Sequence, residues 1–283
     1  MFRPEWPPET LPAFARRAER DGFAELWVVE DCFLSGGLTM SAAALAATES
    51  ITVGIGLLPV PMRNPAAAAM EIAALARLHP HRFVAAFGHG VEAWMRQIGA
   101  RPPDRLAALE ETVAAVRALL RGDELTLDGR HVHLDGVRLE HVPDPPPPVL
   151  IGTTGPRALE IAGRVADGVL LPEGSVPDAV RWARQQAGGP PRTTVYAWLS
   201  LDEDRSAAHE ALRPVLDAWL EHGLYPHLRE HTGAPAVAGD ADDCARAIGD
   251  LWAAGADSVV LVPRHEDRAD QLERFAADVR PML

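Results

Sequence analysis

Residues 149–158 read Val-Leu-Ile-Gly-Thr-Thr-Gly-Pro-Arg-Ala, and this stretch says most about the fold. A short apolar run breaks on two glycines, and Pro156 suits the first turn of a helix. A strand that turns into a helix in this way directs backbone N–H groups and the positive end of the helix dipole outward. We therefore predict a turn that binds a phosphate or another anion.

Two earlier apolar runs end in a similar way. Residues 51–58 lead through a proline-rich turn to a helix that opens at Pro65, and residues 83–87 lead into Gly88-His89-Gly90. One glycine turn by itself has a steric explanation in many proteins that bind nothing. Several turns at successive strand ends predict a shared site.

Composition limits the class of protein. With 283 residues, 47% of them hydrophobic, the chain is long enough for a large core, and we expect a single domain over residues 1–283. No apolar run approaches the roughly 20 residues of a membrane span, and the start lacks a signal-peptide pattern, so we expect a cytoplasmic protein without membrane contacts. The net charge of -13 argues against nucleic-acid binding.

The chain contains no lysine, and all 27 basic residues are arginine. Schiff-base aldolases, pyridoxal-phosphate enzymes and P-loop NTPases need a lysine amine, so the sequence excludes these chemistries. Cys32 and Cys244 lie far apart, without a histidine at metal-ligand spacing, and we predict reduced thiols and no metal site.

Helix-like and strand-like stretches alternate along the chain. The helix-like stretches are residues 8–21, 38–48, 65–78, 104–120, 156–166, 177–186, 206–222, 241–254 and 267–279. The strand-like runs are residues 25–29, 51–58, 83–87, 149–151, 169–171, 194–201 and 258–262. Apolar strands separated by helices predict a parallel α/β sheet, and close to eight repeats favour a (β/α)8 TIM barrel over an open doubly wound sheet.

Two regions depart from this repeat. Residues 122–148 contain two short strands around Asp128-Gly129 and then a proline run, which predicts a hairpin insertion before the fifth barrel strand. Only Met1 to Arg3 precede Pro4, so the first strand is expected to be shortened, because proline cannot lie in the middle of a sheet.

Four segments together resemble the bacterial luciferase-like oxidoreductases, in particular the branch that uses the deazaflavin coenzyme F420. They are Gly22-Phe-Ala-Glu-Leu-Trp-Val-Val-Glu-Asp31, Val53-Gly-Ile-Gly-Leu-Leu-Pro-Val-Pro-Met-Arg-Asn-Pro65, Phe87-Gly-His-Gly90 and residues 151–168. The resemblance spans nearly the whole chain. It implies a (β/α)8 barrel that binds a flavin or deazaflavin at the carboxyl ends of its strands.

The resemblance also implies cofactor contacts. A non-proline cis peptide at Gly56-Leu57 would support the central ring, and a trans bulge is the alternative. Phosphate contacts are expected at residues 153–158, where an ordinary capped helix with Arg157 in solvent is the alternative. The expected cofactor-binding residues are Glu30, Gly56, Leu57, Leu58, Pro59, Gly88, Gly90, Thr153, Thr154, Gly155, Arg157 and Ala158.

Three residues are candidates for catalysis. Relatives carry an acidic residue followed by histidine where this chain has Glu30 and Asp31. Repulsion between the two carboxylates would let one hold a proton and act as an acid, and capping of the next loop by Asp31 is the other interpretation. His89 is the alternative acid, or a residue that only lines the pocket.

The sequence thus predicts an F420-dependent oxidoreductase that acts on a small organic substrate. Reduction of a polarised C=C or C=N bond is favoured, because the histidine that would take a hydroxyl proton is missing. The alternatives are an FMN-dependent luciferase-like monooxygenase and a noncatalytic flavin-binding barrel. A sugar-phosphate substrate is rejected, because Pro172 replaces the family's threonine and the chain lacks lysine. Members of the family commonly form homodimers.

Overall fold

A computed structural model describes residues 1–189, 192–221, 231, 236–263 and 268–283. The helices are α1 (Leu11–Arg20), α2 (Gly37–Ala46), α3 (Pro65–Leu78), α4 (Glu92–Gln97), α5 (Arg105–Leu120), α6 (Pro156–Val165), α7 (Pro177–Gln186), α8 (Arg205–Glu221), α9 (Ala241–Ala253) and α10 (Arg268–Arg274). The strands are β1 (Glu25–Val28), β2 (Thr52–Pro59), β3 (Phe83–Gly88), β4 (Leu125–Asp128), β5 (His133–Val137), β6 (Val149–Gly152), β7 (Gly168–Leu171), β8 (Arg192–Leu201), β9 (Ala236–Gly239) and β10 (Ser258–Pro263).

The chain divides into two compact units. The first unit comprises residues 2–152 and 160–169. Its strands β1, β2, β3 and β6 are hydrogen-bonded side by side and all run parallel. Both faces of this sheet are closely packed, and Val53, Ile55 and Phe87 are almost fully buried. The carboxyl ends of four strands therefore lie along one edge of the first unit.

The second unit comprises residue 1 and residues 153–159 and 170–283. Strand β8 is its centre, and it pairs in parallel with β10 and with β9. Nine of the ten residues of β8 are buried, as expected of a central strand in a parallel sheet. Gln271 of α10 reaches the end of β8, where its amide bonds both the N–H and the carbonyl oxygen of Leu201.

Side-chain caps explain where three helices begin. The Asn64 side chain accepts from the N–H of Ala66 at 2.8 Å, directly before Pro65 opens α3. Asp104 accepts from Ala107 at 3.1 Å before α5, and Asp240 accepts from Asp243 at 2.9 Å before α9. Each cap satisfies an N–H group that lacks a partner within the helix.

The predicted hairpin insertion is confirmed. Strands β4 and β5 pair antiparallel, and Glu111 of α5 holds the turn between them. The Glu111 carboxylate accepts the backbone N–H groups of Arg130, His131 and Val132 at 2.8 to 3.0 Å. Burial by itself would raise the pKa of Glu111, but these three donors outweigh it and lower the pKa below its usual range.

Most predicted elements agree with the structure to within about two residues, and α3 and α7 agree fully. The strand list was wrong in one respect, because it omitted β9. The six-residue helix α4 was also left without boundaries. The predicted helix end at His222 and the predicted helix start at Asp267 lie outside the described residues.

The start of the chain pairs through backbone groups without forming a strand. In the first unit, the N–H of Phe2 donates to the carbonyl oxygen of Trp27 at 2.9 Å. In the second unit, the ammonium of Met1 donates to the carbonyl oxygen of Leu261 at 2.7 Å. Each helix within the described residues is too short or too polar to cross a lipid bilayer.

Candidate active site

The loops that follow β1 and β2 are joined by a buried ion pair. Glu30 follows β1, and only 5% of its surface is exposed. Arg63, from the loop after β2, donates to both carboxylate oxygens, at 2.5 and 2.9 Å, and the N–H of Gly37 donates to one of them at 2.8 Å. The hydrogen bond to Glu30 raises the pKa of Arg63 above its usual value. Glu30 is therefore held as a fully paired carboxylate.

Asp31 lies in a different environment from Glu30. Burial raises the pKa of Asp31, the charge of Glu5 raises it further, and Arg3 offsets part of the effect. Repulsion from Glu30, the cause expected from the sequence, does not account for this shift, and Glu30 is itself paired with Arg63. The other interpretation was that Asp31 caps the next loop. The backbone of Asp31 makes such a contact, because its carbonyl oxygen accepts from the N–H of Leu34 at 2.9 Å.

His89 follows the end of β3 and is half-buried. Its Nδ1 is buried and, within the part of the chain that the structure describes, has no hydrogen-bond partner. Burial, with a smaller contribution from the charge of Arg105, lowers the pKa of His89 to about 4. The imidazole is therefore neutral at pH 7, with a polar nitrogen available to a ligand.

Leu57 forms an apolar floor across two strand ends. Its side chain lies over Gly88 at the end of β3 and over Gly152 at the end of β6, while remaining partly exposed. A Cβ added to Gly88 would come within 2.4 Å of Leu57 Cδ2 and 2.9 Å of the backbone oxygen of Gly152, so a side chain does not fit at Gly88. A Cβ added to Gly152 would come within 2.6 Å of Leu57 Cδ2 and would displace the end of that side chain. The peptide bond between Gly56 and Leu57 is cis, as expected.

The remaining residues of the predicted set also lie at these strand ends. Leu58 and Pro59 are buried at the end of β2. Gly90 adopts φ +68°, a conformation that glycine accepts without strain. Thus the first unit brings together Glu30, Asp31, the end of β2 and the Gly88-His89-Gly90 turn.

The predicted phosphate turn, residues 153–158, belongs to the second unit. Thr154 and Ala158 are buried, whereas Arg157 is exposed. We expected free N–H groups in this turn, and this expectation is wrong at two residues. The N–H of Gly155 donates to Thr153 Oγ1 at 3.3 Å, and the N–H of Thr153 donates to the carbonyl oxygen of Leu170. A Cβ added to Gly155 would meet nothing within 4 Å, so the turn has open space in front of it.

Sequence reasoning assigned no role to Arg63 or Gly37, although both complete the environment of Glu30. Arg63 lies within the Met62-Arg63-Asn64-Pro65 segment of the resemblance, and this was the available signal. Its partner lies 33 residues away in the chain, so no local pattern pointed to the pair.

Comparison with known proteins supports the resemblance. The family model described as luciferase-like monooxygenase matches residues 4–277. The 5,10-methylenetetrahydromethanopterin reductase of Methanolobus tindarius is 28% identical, over 84% of this chain and 78% of its own length. The F420-dependent glucose-6-phosphate dehydrogenase of Beutenbergia cavernae is 26% identical, over 99% of this chain and 94% of its own length.

A solved structure gives the same picture of the fold. An F420-dependent secondary alcohol dehydrogenase, determined with an F420-acetone adduct, superposes with a TM-score of 0.80 and 25% identity. The superposition covers 98% of this chain and 95% of that one. This similarity confirms the predicted TIM-barrel fold class. Because the family model matches nearly the whole sequence, the chain belongs to the luciferase-like monooxygenase family.

Proposed function

We propose that this protein is an F420-dependent oxidoreductase that reduces a polarised C=C or C=N bond in a small organic substrate. The observation that carries the proposal is the Leu57 side chain seated on Gly88 and Gly152, with Asp31 and His89 on loops at the same edge of the first unit. Its relatives include an F420-dependent glucose-6-phosphate dehydrogenase and an F420-dependent secondary alcohol dehydrogenase.

The residues present fit a flat aromatic cofactor. A partly exposed Leu57 offers an apolar surface for a deazaflavin ring, and Gly88 beneath it leaves no room for a side chain. When bound, coenzyme F420 supplies or accepts the hydride. The protein's contribution is to position the ring and to exclude water from the apolar side.

The turn at residues 153–158, in the second unit, suits a phosphate group such as that of F420. Thr153 and Thr154 offer hydroxyl groups, and the first turn of α6 contains no acidic residue. The open space in front of Gly155 allows a phosphate to approach the helix start. Arg157 is exposed and always protonated, so it can add a charged hydrogen bond.

Asp31 is the better candidate for the acid. Its pKa is raised by burial, which keeps its proton at a higher pH than an ordinary carboxylic acid does. His89 is neutral at pH 7, and its unpartnered Nδ1 serves better to bind a polar group of the substrate. Glu30 already accepts from Arg63 on both oxygens and from the N–H of Gly37 on one of them, so its role in this proposal is to position the loop.

Titration of the purified protein with F420 and with FMN tests this function. We expect saturable fluorescence quenching with F420 at micromolar concentration and at least about tenfold weaker binding of FMN. Reduced F420 is then mixed with a panel of enones and imines, and its oxidation is followed by absorbance. Preferential FMN binding with oxygen consumption would instead support the monooxygenase alternative.

The same titration separates an enzyme from a binding protein. Tight F420 binding without turnover of any enone or imine supports the noncatalytic barrel. Failure to bind either cofactor contradicts the proposal as a whole. A cytoplasmic homodimer of single-domain chains stays a prediction from the sequence, and sedimentation measurements test the oligomeric state.

A further inference from the structure

Three arginines converge on one carboxylate near the end of β3. The Glu92 side chain, at the start of α4, accepts from Arg96, from Arg101 at 3.1 Å and from Arg105 at 3.1 Å. We call these three residues the arginine cluster. Arg101 and Arg105 are each a little over one-third exposed, so their guanidinium groups are open to solvent as well as to Glu92.

The arginine cluster carries more positive charge than Glu92 balances. Glu92 takes one nitrogen from each guanidinium, and in the described part of the chain Arg101 and Arg105 make no other hydrogen bond. The neighbouring carboxylate of Asp104 does not relieve the excess, because Arg130 pairs with it at 2.8 Å. The surplus is conspicuous in a chain whose net charge is -13.

Helix stability does not explain the position of Arg105. It is the first residue of α5, a 16-residue helix, where the helix dipole disfavours a cation. The helix start is already capped by Asp104, which accepts from the N–H of Ala107. A bound anion would be stabilised both by Arg105 and by this end of the dipole.

The arginine cluster adjoins the candidate active site within the first unit. Arg105 lies close enough to His89 for its charge to act on the imidazole, and Glu92 follows that residue by three positions in the chain. Nδ1 of His89 is the unpartnered buried nitrogen described above. An anionic group held by Arg101 and Arg105 would therefore place the rest of its molecule beside the reactive end of β3.

We propose that the arginine cluster binds a carboxylate or phosphate group of a molecule that occupies the active site. This inference rests on the proposed function only for the identity of the molecule, because anion binding itself is measurable without turnover. Two sources share the chemistry: an acidic substrate, and an anionic group of the cofactor tail other than the phosphate that we place at residues 153–158. In the free protein the Glu92 carboxylate competes for the same guanidinium groups.

Inorganic phosphate is the first probe. Its binding is measured by isothermal titration calorimetry at constant ionic strength, for the wild type, R101Q, R105Q and the control R121Q. Arg121 follows the last residue of α5 and pairs only with Asp123, at 3.4 Å, within the described residues, so R121Q removes the same charge from the other end of that helix. We expect half-saturation to need at least about tenfold more phosphate in R101Q and R105Q, and no change in R121Q.

The variant E92Q gives an independent result. Removing the competing carboxylate should lower the phosphate concentration for half-saturation several-fold, whereas a variant that only damages folding would not bind more tightly. Equal phosphate binding in the wild type, R101Q and R105Q, or weaker binding in E92Q, overturns the proposal.

Two further arms identify the source of the anion. With reduced F420, cyclohex-2-enone is compared with 4-oxocyclohex-2-ene-1-carboxylate, and a rise of KM for the acid alone in R105Q points to the substrate. Dissociation constants of F420 and of its phosphate-free deazaflavin riboside are measured in the same variants. A loss of affinity for F420 alone points to the cofactor tail. If phosphate binding depends on the arginine cluster but F420 does not bind, the proposed function fails and the anion site stands. Equal effects on acidic and neutral substrates overturn the assignment to a substrate.

Discussion

Arg63 donates two hydrogen bonds to the carboxylate of Glu30, from Nη1 to Oε1 at 2.5 Å and from Nη2 to Oε2 at 2.9 Å. The two residues lie on loops after neighbouring strands, and the side chain of Glu30 is 4% exposed. The pair therefore fixes the relative position of these two loops. Planar two-pronged pairing is specific to arginine and would be lost with lysine.

Removing Arg63 should destabilise the protein strongly. In R63M the buried Glu30 carboxylate loses its charged partner, and we expect the free energy of unfolding to fall by about 3 kcal/mol. Urea unfolding at pH 7 measures the effect. The double variant E30M/R63M serves as the control, because it also removes the stranded charge and should recover part of the loss. An equal loss in the single and double variants would show that the charge is not the cause.

The identity of the acid is open to a pH measurement. We expect D31N to lower kcat for enone reduction by about 100-fold, because a positioned acid contributes on this scale. The protonated form of Asp31 is the active one, so the wild-type rate should fall as pH rises through its elevated pKa. H89Q should keep that fall. If H89Q abolishes the pH dependence and D31N retains it, His89 is the acid.

Charge at the phosphate turn should weaken cofactor binding. G155D places a carboxylate where an anion is expected, and we expect the F420 dissociation constant to rise at least about tenfold. G155N has nearly the same shape without the charge, and a Cβ at this position meets no atom within 4 Å. The two variants are compared by fluorescence titration. Equal affinities in G155D and G155N would contradict a phosphate at this turn.

The lowered pKa of Glu19 predicts that the protein loses stability in acid. Against a burial effect that raises it, hydrogen bonds from Ile51, Ser50 and Glu49 lower the pKa of Glu19 to about 2. A carboxyl whose pKa is lowered on folding stabilises the protein above its unfolded value of 4.5, and this contribution is lost as pH falls toward 2. Between these values the wild type should therefore lose stability more steeply than E19Q.

The exposed Glu9 provides the matched control for this measurement, because E9Q makes the same chemical change on the surface. Urea unfolding at pH 7, 4 and 3 gives the three stability curves. E9Q should follow the wild type throughout. A parallel decline of the wild type and E19Q between pH 4 and 3 would refute the role assigned to Glu19.

The buried hydrogen bond of Gln271 should contribute to the free energy of unfolding. Its side chain is almost fully buried and accepts from the N–H of Leu201 at 2.6 Å. Q271M keeps the volume but leaves that N–H without this acceptor, so we expect a loss of about 2 kcal/mol in unfolding free energy. The exposed Gln185 gives the control Q185M, which should change stability by less than about 0.5 kcal/mol. Equal losses in the two variants would contradict the assigned contact.

Local patterns were sufficient for most of the secondary structure. Helix α3 was predicted to the residue, because Asn64 caps it, Pro65 suits its first turn and thirteen further residues follow without a glycine or proline. Strand β9 escaped notice because it has only four residues, and Val237 is the one strong strand former among them. Its hydrogen bonds come from β8, a strand that ends 35 residues earlier.

The sequence alone thus determined the fold class, the hairpin insertion and the family, since these depend on periodicity, turn residues and ordered motifs. Tertiary structure decided which carboxylate is paired and which has a raised pKa. Glu30 and Asp31 are neighbours in the chain, but of these two only Glu30 pairs with Arg63, while burial and Glu5 act on Asp31. A pKa and an ion pair depend on distance and solvent access between residues remote in sequence, and only folding sets these.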